Sequence, residues 1–383
     1  MKFILAPDSF KGTVGATRIC KIMREALERH IPGCETMAFP VADGGDGTVA
    51  CFVEAMHGTL RRLEVSGPHF DKIPSFYGVI DGADGKKTAI VEMAAAAGLP
   101  IAESSPRGRD PKKTTTFGVG ELILAAAREG CPRIIVGLGG SSTNDGGCGA
   151  AAAVGIRFLD RNGKAFVPTG DTLCEIADID VSGKDPLLDG VEIVTMCDVD
   201  NPLHGRQGSA YVFSPQKGAD PDTVELLDRN LAAFGAALRR SLSLSLDEVP
   251  GAGAAGGMGA GMMAFFGSKL TSGITVVLDT VGFDEALTGA SAVFTGEGRI
   301  DGQSVRGKVI SGVAQRAKAA GVPVFVVAGD AGDGVEAAYN LGVSAIFSTN
   351  RVAKPFSEIK HLSADNLAFT MDNLARTIAC FRG

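Results

Sequence analysis

A short apolar run followed by a long glycine-rich loop constrains the fold of this chain more than any other feature. Residues 134–138 are apolar and mostly β-branched, a pattern typical of a buried strand. The loop G-G-S-S-T-N-D-G-G follows at 139–147, and an alanine-rich segment able to form a helix comes next. This order predicts an α/β sheet whose loop binds an anion, because backbone N–H groups and the helix dipole favour negative charge there. A tight crossover turn is the alternative, and the polarity of the loop favours a binding site.

The polar groups of this loop are candidates for binding phosphate and a metal ion. Hydroxyl, amide and backbone N–H groups donate hydrogen bonds to phosphate oxygens, and a carboxylate is a ligand that Mg²⁺ accepts. The phosphate-binding candidates are Gly139, Gly140, Ser141, Ser142, Thr143 and Asn144. The metal-binding candidate is Asp145. The loop matches neither G-x-x-x-x-G-K-[ST] nor G-x-G-x-x-G, so the common nucleotide-binding motifs do not account for it.

Length and composition favour a two-domain α/β enzyme. A chain of 383 residues is longer than a single hydrophobic core usually supports, and its 52 glycines suit many strand–helix turns. The net charge of −7, without a basic stripe, argues against a nucleic-acid partner. Eight cysteines without a C-x-x-C pair indicate neither a zinc site nor a disulfide framework. With no signal peptide and no apolar run long enough for a membrane, a soluble cytoplasmic protein is expected.

The first predicted strand, at 2–6, ends in the polar segment P-D-S-F-K-G-T, and an amphipathic helix follows at 14–30. Asp8, Ser9 and Lys11 therefore lie at the carboxyl end of a strand, where open α/β sheets bind ligands. Lys11 could hold a phosphate as a point charge beside the helix start. The alternative is a surface pair of Asp8 and Lys11 next to a helix cap.

A second strand at 36–41 ends in A-D-G-G-D-G-T, before a helix at 49–56. Asp43 directly follows the strand and is the better ligand candidate, whereas Asp46 could merely cap the helix. From 60 to 92 the pattern changes to strands separated by turn residues, with little helix between them. This change predicts antiparallel sheet and a domain boundary near 60–65.

The predicted strand at 191–196 ends in C-D-V-D-N-P-L. Pro202 prevents the strand from continuing, so a turn is expected there. Asp198 and Asp200 are candidates for a general base or a Mg²⁺ ligand. An Asx-turn is the alternative.

The last third of the chain combines a glycine-dense segment with further strands. Residues 251–262 contain too much glycine for an ordinary helix and suit close packing or close approach to a ligand. Strands are predicted at 274–278, 292–294, 322–328 and 344–347. The segment 295–308 contains Arg299, Asp301 and Arg306, and an arginine fork matches a carboxylate or a phosphate. The simplest architecture is a Rossmann-like parallel-sheet domain (1–62 and 290–383), interrupted by an inserted α/β domain with a mixed sheet (63–289). The active site is expected in the cleft between them.

Six segments in the same order together resemble the type I glycerate kinase family. They are A-P-D-S-F-K-G, P-V-A-D-G-G-D-G-T, G-L-G-G-S-S-T-N-D-G-G, C-D-V-D-N-P-L, G-A-A-G-G-M-G and T-G-E-G-R-I-D-G-Q-S. The resemblance covers nearly the whole chain and implies Mg²⁺- and ATP-dependent phosphorylation of D-glycerate, giving 2-phosphoglycerate in the bacterial branch. Asp46 stands where the family commonly has Glu, and Ser142 where Ala is common.

Phosphoryl transfer to an alcohol needs bound phosphates, a neutralising cation, a proton acceptor and a group that holds the acid. The catalytic candidates are Asp198, Lys11 and Asp43, and Ser9, after the first strand, is a further phosphate-binding candidate. The substrate-binding candidates are Arg299, Asp301, Arg306 and Asp8. A kinase giving 3-phosphoglycerate and a nucleotide- or sugar-acid-binding regulator are the alternatives; an oxidoreductase would need G-x-G-x-x-G after the first strand. The residues leave the oligomeric state open, with a homodimer as one candidate.

Overall fold

The structure, a computed structural model, describes residues 1–41, 47–302, 308–352 and 354–381. Its strands are β1 Lys2–Leu5, β2 Glu35–Ala38, β3 Thr59–Ser66, β4 Lys72–Asp81, β5 Lys87–Glu92, β6 Arg133–Gly137, β7 Arg157–Leu159, β8 Ala165–Phe166, β9 Asp178–Asp180, β10 Glu192–Met196, β11 Lys269–Thr271, β12 Ala292–Thr295, β13 Arg299–Ile300, β14 Val324–Ala328, β15 Asp330–Ala331 and β16 Val343–Ser348. Its helices are α1 Ala16–His30, α2 Thr48–Ala55, α3 Ala94–Ala97, α4 Leu99–Ser104, α5 Phe117–Arg128, α6 Cys148–Ala153, α7 Ser209–Phe213, α8 Pro221–Leu242, α9 Ala254–Phe266, α10 Gly273–Thr280, α11 Phe283–Leu287, α12 Val309–Ala319, α13 Ala337–Leu341, α14 Phe356–Ile359 and α15 Ser363–Cys380.

The first sheet is built from both ends of the chain. Its five strands have the order β16-β14-β12-β1-β2 and are all parallel, with Phe3 opposite Ala292. Side chains alternate across it: Phe3 and Leu5 pack against α1 and α15, and Ile4 points to the opposite face. This is the interrupted parallel sheet that the sequence predicts.

The second sheet comes from the middle of the chain and is mixed. Its order is β11-β10-β6-β5-β4-β3, in which β3, β4 and β5 pair antiparallel and the others pair parallel. The antiparallel part covers the segment where the sequence predicts a change of pattern. One face of this sheet packs against α5, α6, α8 and α9. The predicted α/β fold with a parallel and a mixed sheet is therefore confirmed.

The two sheets share one apolar core. Ile4 and Val293 of the first sheet belong to the same buried cluster as Ile90 and Ile135 of the second, with α10 and α11 between them. A polar contact also joins the two parts of the chain, because the buried carboxylate of Glu92 accepts a hydrogen bond from the backbone N–H at the start of α2 at 2.5 Å. The two sheets therefore pack against each other through this cluster, while each sheet also has an apolar cluster of its own.

The predicted strand at 274–278 is wrong, because this segment lies within the helix α10. Its apolar side chains are buried in the shared core, where Ile274, Val277 and Leu278 follow helical spacing. A short apolar β-branched run has the same pattern whether it is a buried strand or a buried helix, and here the packing of two sheets around it selects the helix.

The glycine-dense segment packs closely, as predicted, but most of it is helical, which its glycine content does not predict. Ala255, Gly256 and Gly257 have positive φ and interrupt the start of α9, and regular helix follows. A Cβ atom at Gly256 would lie 2.0 Å from the carbonyl oxygen of Thr143, and one at Gly261 would lie 2.5 Å from that of Gly146. Glycine is therefore required where α9 packs against the loop that follows β6.

Candidate active site

Two adjoining cavities open at the carboxyl ends of the parallel strands. The larger, of about 1020 Å³, is lined by the loops after β1, β6 and β10 and by the start of α9. The smaller, of about 590 Å³, is lined by the loops after β1, β12, β14 and β16. Ligands of open α/β sheets bind at this end of the strands, and both volumes suit small molecules.

The two cavities share part of their walls. The residues that line both are Asp8, Ser9, Lys11 and Asp198. The loop carrying the first three is tied down at its base, since the N–H of Asp8 donates to the carbonyl of Gly296 at 2.8 Å. The N–H of Ser9 donates to the Asp8 carboxylate at 2.6 Å and its hydroxyl does so at 3.3 Å. The structure thus brings together four residues predicted from separate segments.

Asp198 is held at the start of a helix. It follows β10, and its Oδ1 accepts a hydrogen bond at 2.8 Å from the N–H of Gly273, the first residue of α10. The helix dipole favours a negative charge at this position. Asp200, the rival candidate two residues on, is exposed and lines neither cavity. The structure therefore favours Asp198 over Asp200 as the acidic group of the site.

The glycine-rich loop after β6 contributes fewer residues than the sequence predicts. Gly139, Gly140 and Ser141 line the larger cavity. Ser142, Thr143 and Asn144 line neither cavity and are at most 2% exposed. The hydroxyl of Ser142 donates to the carbonyl of Ala97 at 2.9 Å, which gives the unexpected serine a structural role. Phosphate binding by the side chains of 142–144 is thus not supported, because the loop turns into the protein after Ser141.

Asp145, predicted as a metal ligand, is a buried anchor of this loop. It is fully buried, and one oxygen accepts hydrogen bonds from the N–H and hydroxyl of Thr116 at 2.7 and 2.9 Å and from the N–H of Gly149 at 3.2 Å. Its other oxygen accepts from the N–H of Gly147 at 3.2 Å. Burial raises the pKa of this carboxyl, and the hydrogen bonds act in the opposite direction. A carboxylate so occupied and away from both cavities does not fit the predicted metal site.

We expect Asp145→Asn to destabilise the fold by about 3 kcal/mol, because an amide nitrogen would face donors that now have a carboxylate acceptor. Urea unfolding followed by circular dichroism measures the change. The matched control is Asp189→Asn, since Asp189 is exposed. Equal midpoints for the two variants would contradict the anchoring role.

Lys217 was not predicted from the sequence, and it lines the larger cavity. It ends the short turn Pro215–Lys217 after α7 and is 1% exposed. Its Nζ donates to the carbonyl oxygen of Thr143 at 2.6 Å. Burial lowers the pKa of this lysine to about 7, and nearby Asp145 partly offsets the effect. A lysine in the loop segment P-Q-K-G carries no periodic signal that would have distinguished it from a surface lysine.

Only some of the residues predicted to bind the substrate line a cavity. Arg299 is exposed and lines the smaller cavity, with its Nε 3.9 Å from a carboxylate oxygen of Asp301. Asp301 lines neither cavity. Asp43 and Arg306 lie outside the described residues. Of the substrate-binding candidates that the structure describes, only Asp8 lines both cavities.

The fold and the adjoining cavities define an α/β enzyme that binds small molecules at the strand ends of two sheets. The crystal structure of a glycerate kinase 2 from Salmonella typhimurium LT2 has the same fold, with a TM-score of 0.88 and 39% identity over 99% of this chain and 98% of that chain. A family model described as glycerate kinase family matches residues 3–379. The chain belongs to the glycerate kinase family.

Full-length relatives agree with this assignment. Glycerate 2-kinase of Escherichia coli strain K12 is 41% identical over 379 residues, covering 99% of this chain and 98% of the relative. Glycerate kinase of Bacillus subtilis strain 168 is 41% identical over 378 residues, with 99% and 98% coverage. The family predicted from the six sequence segments is confirmed. Within the described part of the chain, no helix is long and apolar enough to cross a bilayer.

Proposed function

We propose that this protein transfers the γ-phosphoryl group of ATP to a hydroxyl of D-glycerate and forms 2-phosphoglycerate. Membership of the glycerate kinase family and the similarity to an Escherichia coli protein named glycerate 2-kinase support the substrate and the product. The observation that carries the proposal is the shared wall of the two cavities. A kinase must bring a nucleotide and an acceptor alcohol together at one point, and adjoining cavities with common polar residues allow this.

The smaller cavity suits the nucleotide. Its wall combines apolar side chains, among them Phe10, Val309 and Phe356, with the cations Lys308 and Lys354. An adenine ring needs apolar contacts and a triphosphate needs cations, so the base would lie in this cavity and the phosphates would extend across the shared wall. Glycerate would then bind in the larger cavity, beside Gly139 and Ser141.

Three residues carry out the transfer in this arrangement. Lys11, at the shared wall, neutralises charge on the phosphoryl group as it moves. Asp198 accepts the proton of the attacking hydroxyl, which is too weakly acidic to ionise beforehand. Ser9 places a further hydroxyl at the same wall. Asp43 stays a predicted alternative to Asp198 as the base.

The carboxylates at the shared wall fit a magnesium ion that accompanies ATP. Asp8 supplies carboxylate oxygens, with Asp198 as the alternative ligand should it not act as the base, and Mg²⁺ usually takes one or two carboxylates while keeping water and phosphate ligands. Bound there with ATP, the ion would neutralise charge on the phosphates. Among the residues that the structure describes, no group of three or more His, Cys, Asp or Glu side chains is placed to form a metal site by itself. Phosphate oxygens would therefore complete the ligand set.

The organisation of the chain extends the proposal. We assign residues 1–62 and 290–383 to one domain and 63–289 to an inserted domain. The five strands of the first sheet lie in the former and most of the second sheet in the latter, whereas β3 (Thr59–Ser66) crosses the proposed boundary. We further propose a cytoplasmic location, and a homodimer as the assembly. Light scattering on the purified protein tests the dimer.

A direct assay tests the function. With MgATP and D-glycerate we expect ADP release that depends on glycerate, and phosphorus and proton NMR of the product should identify 2-phosphoglycerate. ATP alone and glycerate with NAD are the controls. Formation of 3-phosphoglycerate would overturn the position of transfer. Binding of ATP and glycerate without turnover would instead favour a regulator on the same fold.

A further inference from the structure

Lys217 is a buried cation whose hydrogen-bonding capacity is mostly unused. An ammonium group has three donors, and among the described residues its Nζ meets one acceptor, the carbonyl of Thr143. Close to this contact, the hydroxyl of Thr143 and the amide nitrogen of Asn144 are buried without a hydrogen-bond partner. Buried polar groups in native proteins are normally satisfied. Thr143 and Asn144 line neither cavity, so only Lys217, which lines the larger one, can offer its unused donors to an anion bound there.

The charge distribution of the cavity walls separates Lys217 from the other cations. Among described residues, the larger cavity is lined by two cationic side chains, Lys11 and Lys217. Lys11 also lines the smaller cavity, so it belongs to the point where the phosphoryl group would be transferred. Lys217 does not line the smaller cavity. Arg299 lines the smaller cavity and not the larger one. An anionic group at the far end of the acceptor would therefore meet Lys217.

We propose that Lys217, seated on the carbonyl of Thr143, binds the carboxylate of the acid substrate and so selects hydroxy acids over neutral polyols. The proposal rests on the proposed function, because it assigns one end of the acceptor. It moves the carboxylate site from Arg299, in the smaller cavity, to the wall beside Ser141 in the larger one. A buried charge-assisted contact is strong because little water competes with it.

The charged surroundings of Lys217 give this binding a defined pH dependence. Asp145 lies near enough to favour the charged form, Arg109 donates to the carbonyl of the preceding Gln216, and Asp198 and Lys11 line the same cavity. With a pKa of about 7 in the free enzyme, Lys217 loses its proton as the pH rises above neutrality. A bound carboxylate favours the charged form and raises this pKa. Glycerate binding should then take up a proton, and it should weaken as the pH rises.

The variant Lys217→Met tests the contact while keeping the length and apolar stem of the side chain. We expect the KM for D-glycerate to rise roughly tenfold to hundredfold, with a smaller change in kcat and an unchanged KM for ATP. Lys164→Met is the matched control, because Lys164 is exposed. Thermal unfolding of both variants shows whether the fold is retained. A KM for ATP that rises in place of that for glycerate would overturn the assignment to the carboxylate.

Two further readouts test the role of Lys217, and the first of them uses only the wild-type protein and so does not depend on how well the variant folds. In the wild-type protein, the KM for D-glycerate should rise up to tenfold per pH unit between about pH 7 and 9, while that for ATP changes little. The wild type should also prefer D-glycerate over D-glyceramide, its neutral analogue, and Lys217→Met should lose this preference. A flat glycerate profile together with an intact preference in the variant would refute the role of Lys217. Wild-type turnover of glycerate would remain, so the proposed function would survive that result; a wild type that turns over neither acceptor would overturn both.

Discussion

Asp198→Asn is expected to lower kcat by roughly 10²- to 10⁴-fold, the range that a general base contributes. Asparagine keeps the shape of the side chain, and its carbonyl oxygen can still accept the hydrogen bond from Gly273 at the start of α10. The fold should therefore be retained, which circular dichroism and the unfolding midpoint will show. Steady-state assays at saturating D-glycerate and MgATP measure the loss.

The dependence on Mg²⁺ separates two roles for Asp198. Loss of a base lowers kcat at every Mg²⁺ concentration, whereas loss of a metal ligand raises the Mg²⁺ concentration needed for activity. The matched control is Asp200→Asn, since Asp200 lies two residues away and lines neither cavity. Full activity in Asp198→Asn would exclude both roles and would make Asp43 the leading candidate.

Lys11→Met is expected to cut kcat by roughly 10²-fold or more, as other single electrostatic contacts to a reacting group do. Lys11 is exposed and lies in a turn at the shared wall, so removing its charge should cost little stability. The charge acts on the phosphoryl group during transfer, and kcat should thus fall more than ATP binding weakens. Single-turnover measurements with saturating ATP test this directly.

Two comparisons make the Lys11 result specific. Lys11→Arg keeps the positive charge and should recover part of the rate, although its planar fork fits a phosphate differently. Lys21 lies in α1 and its side chain is 75% exposed. Lys21→Met should therefore leave kcat unchanged. Near-wild-type turnover in Lys11→Met, with an unchanged KM for ATP, would refute its role.

The sequence predicts the sheets well because their strands are apolar runs bounded by glycine and charged turns. The same reasoning locates Asp8, Lys11 and Asp198, since polar residues directly after buried strands meet at one edge of a sheet. Packing decides what this pattern cannot. The run 274–278 becomes a helix because it lies between two sheets, and its periodicity alone does not distinguish the two states.

Burial explains the other differences in the site. Asp145 and Ser141 are neighbours in one polar loop, yet one is fully buried and the other lines a cavity. The burial of the loop after Ser141 depends on contacts with Thr116 and α9, which come from distant parts of the chain. Local sequence also fails to predict Lys217 as a site residue, because its burial comes from tertiary packing and its own segment has no apolar pattern. Site residues at strand ends are predictable from local sequence, and those fixed by distant contacts are not.

The order of strands in the first sheet also determines how the nascent chain can fold during translation. β1 pairs with β2 on one side and with β12 on the other, and α1 packs against α15. The segment that forms β1, α1 and β2 therefore needs segments from late in the chain to complete its sheet. The ribosome has synthesised about three quarters of these 383 residues before β12 emerges, and β14 and α15 follow later still. The middle segment can form its own sheet much earlier. For most of its synthesis β1 thus has an unpaired backbone edge where β12 will bind and an apolar face that α15 does not yet cover, and it is this end that a chaperone would have to protect.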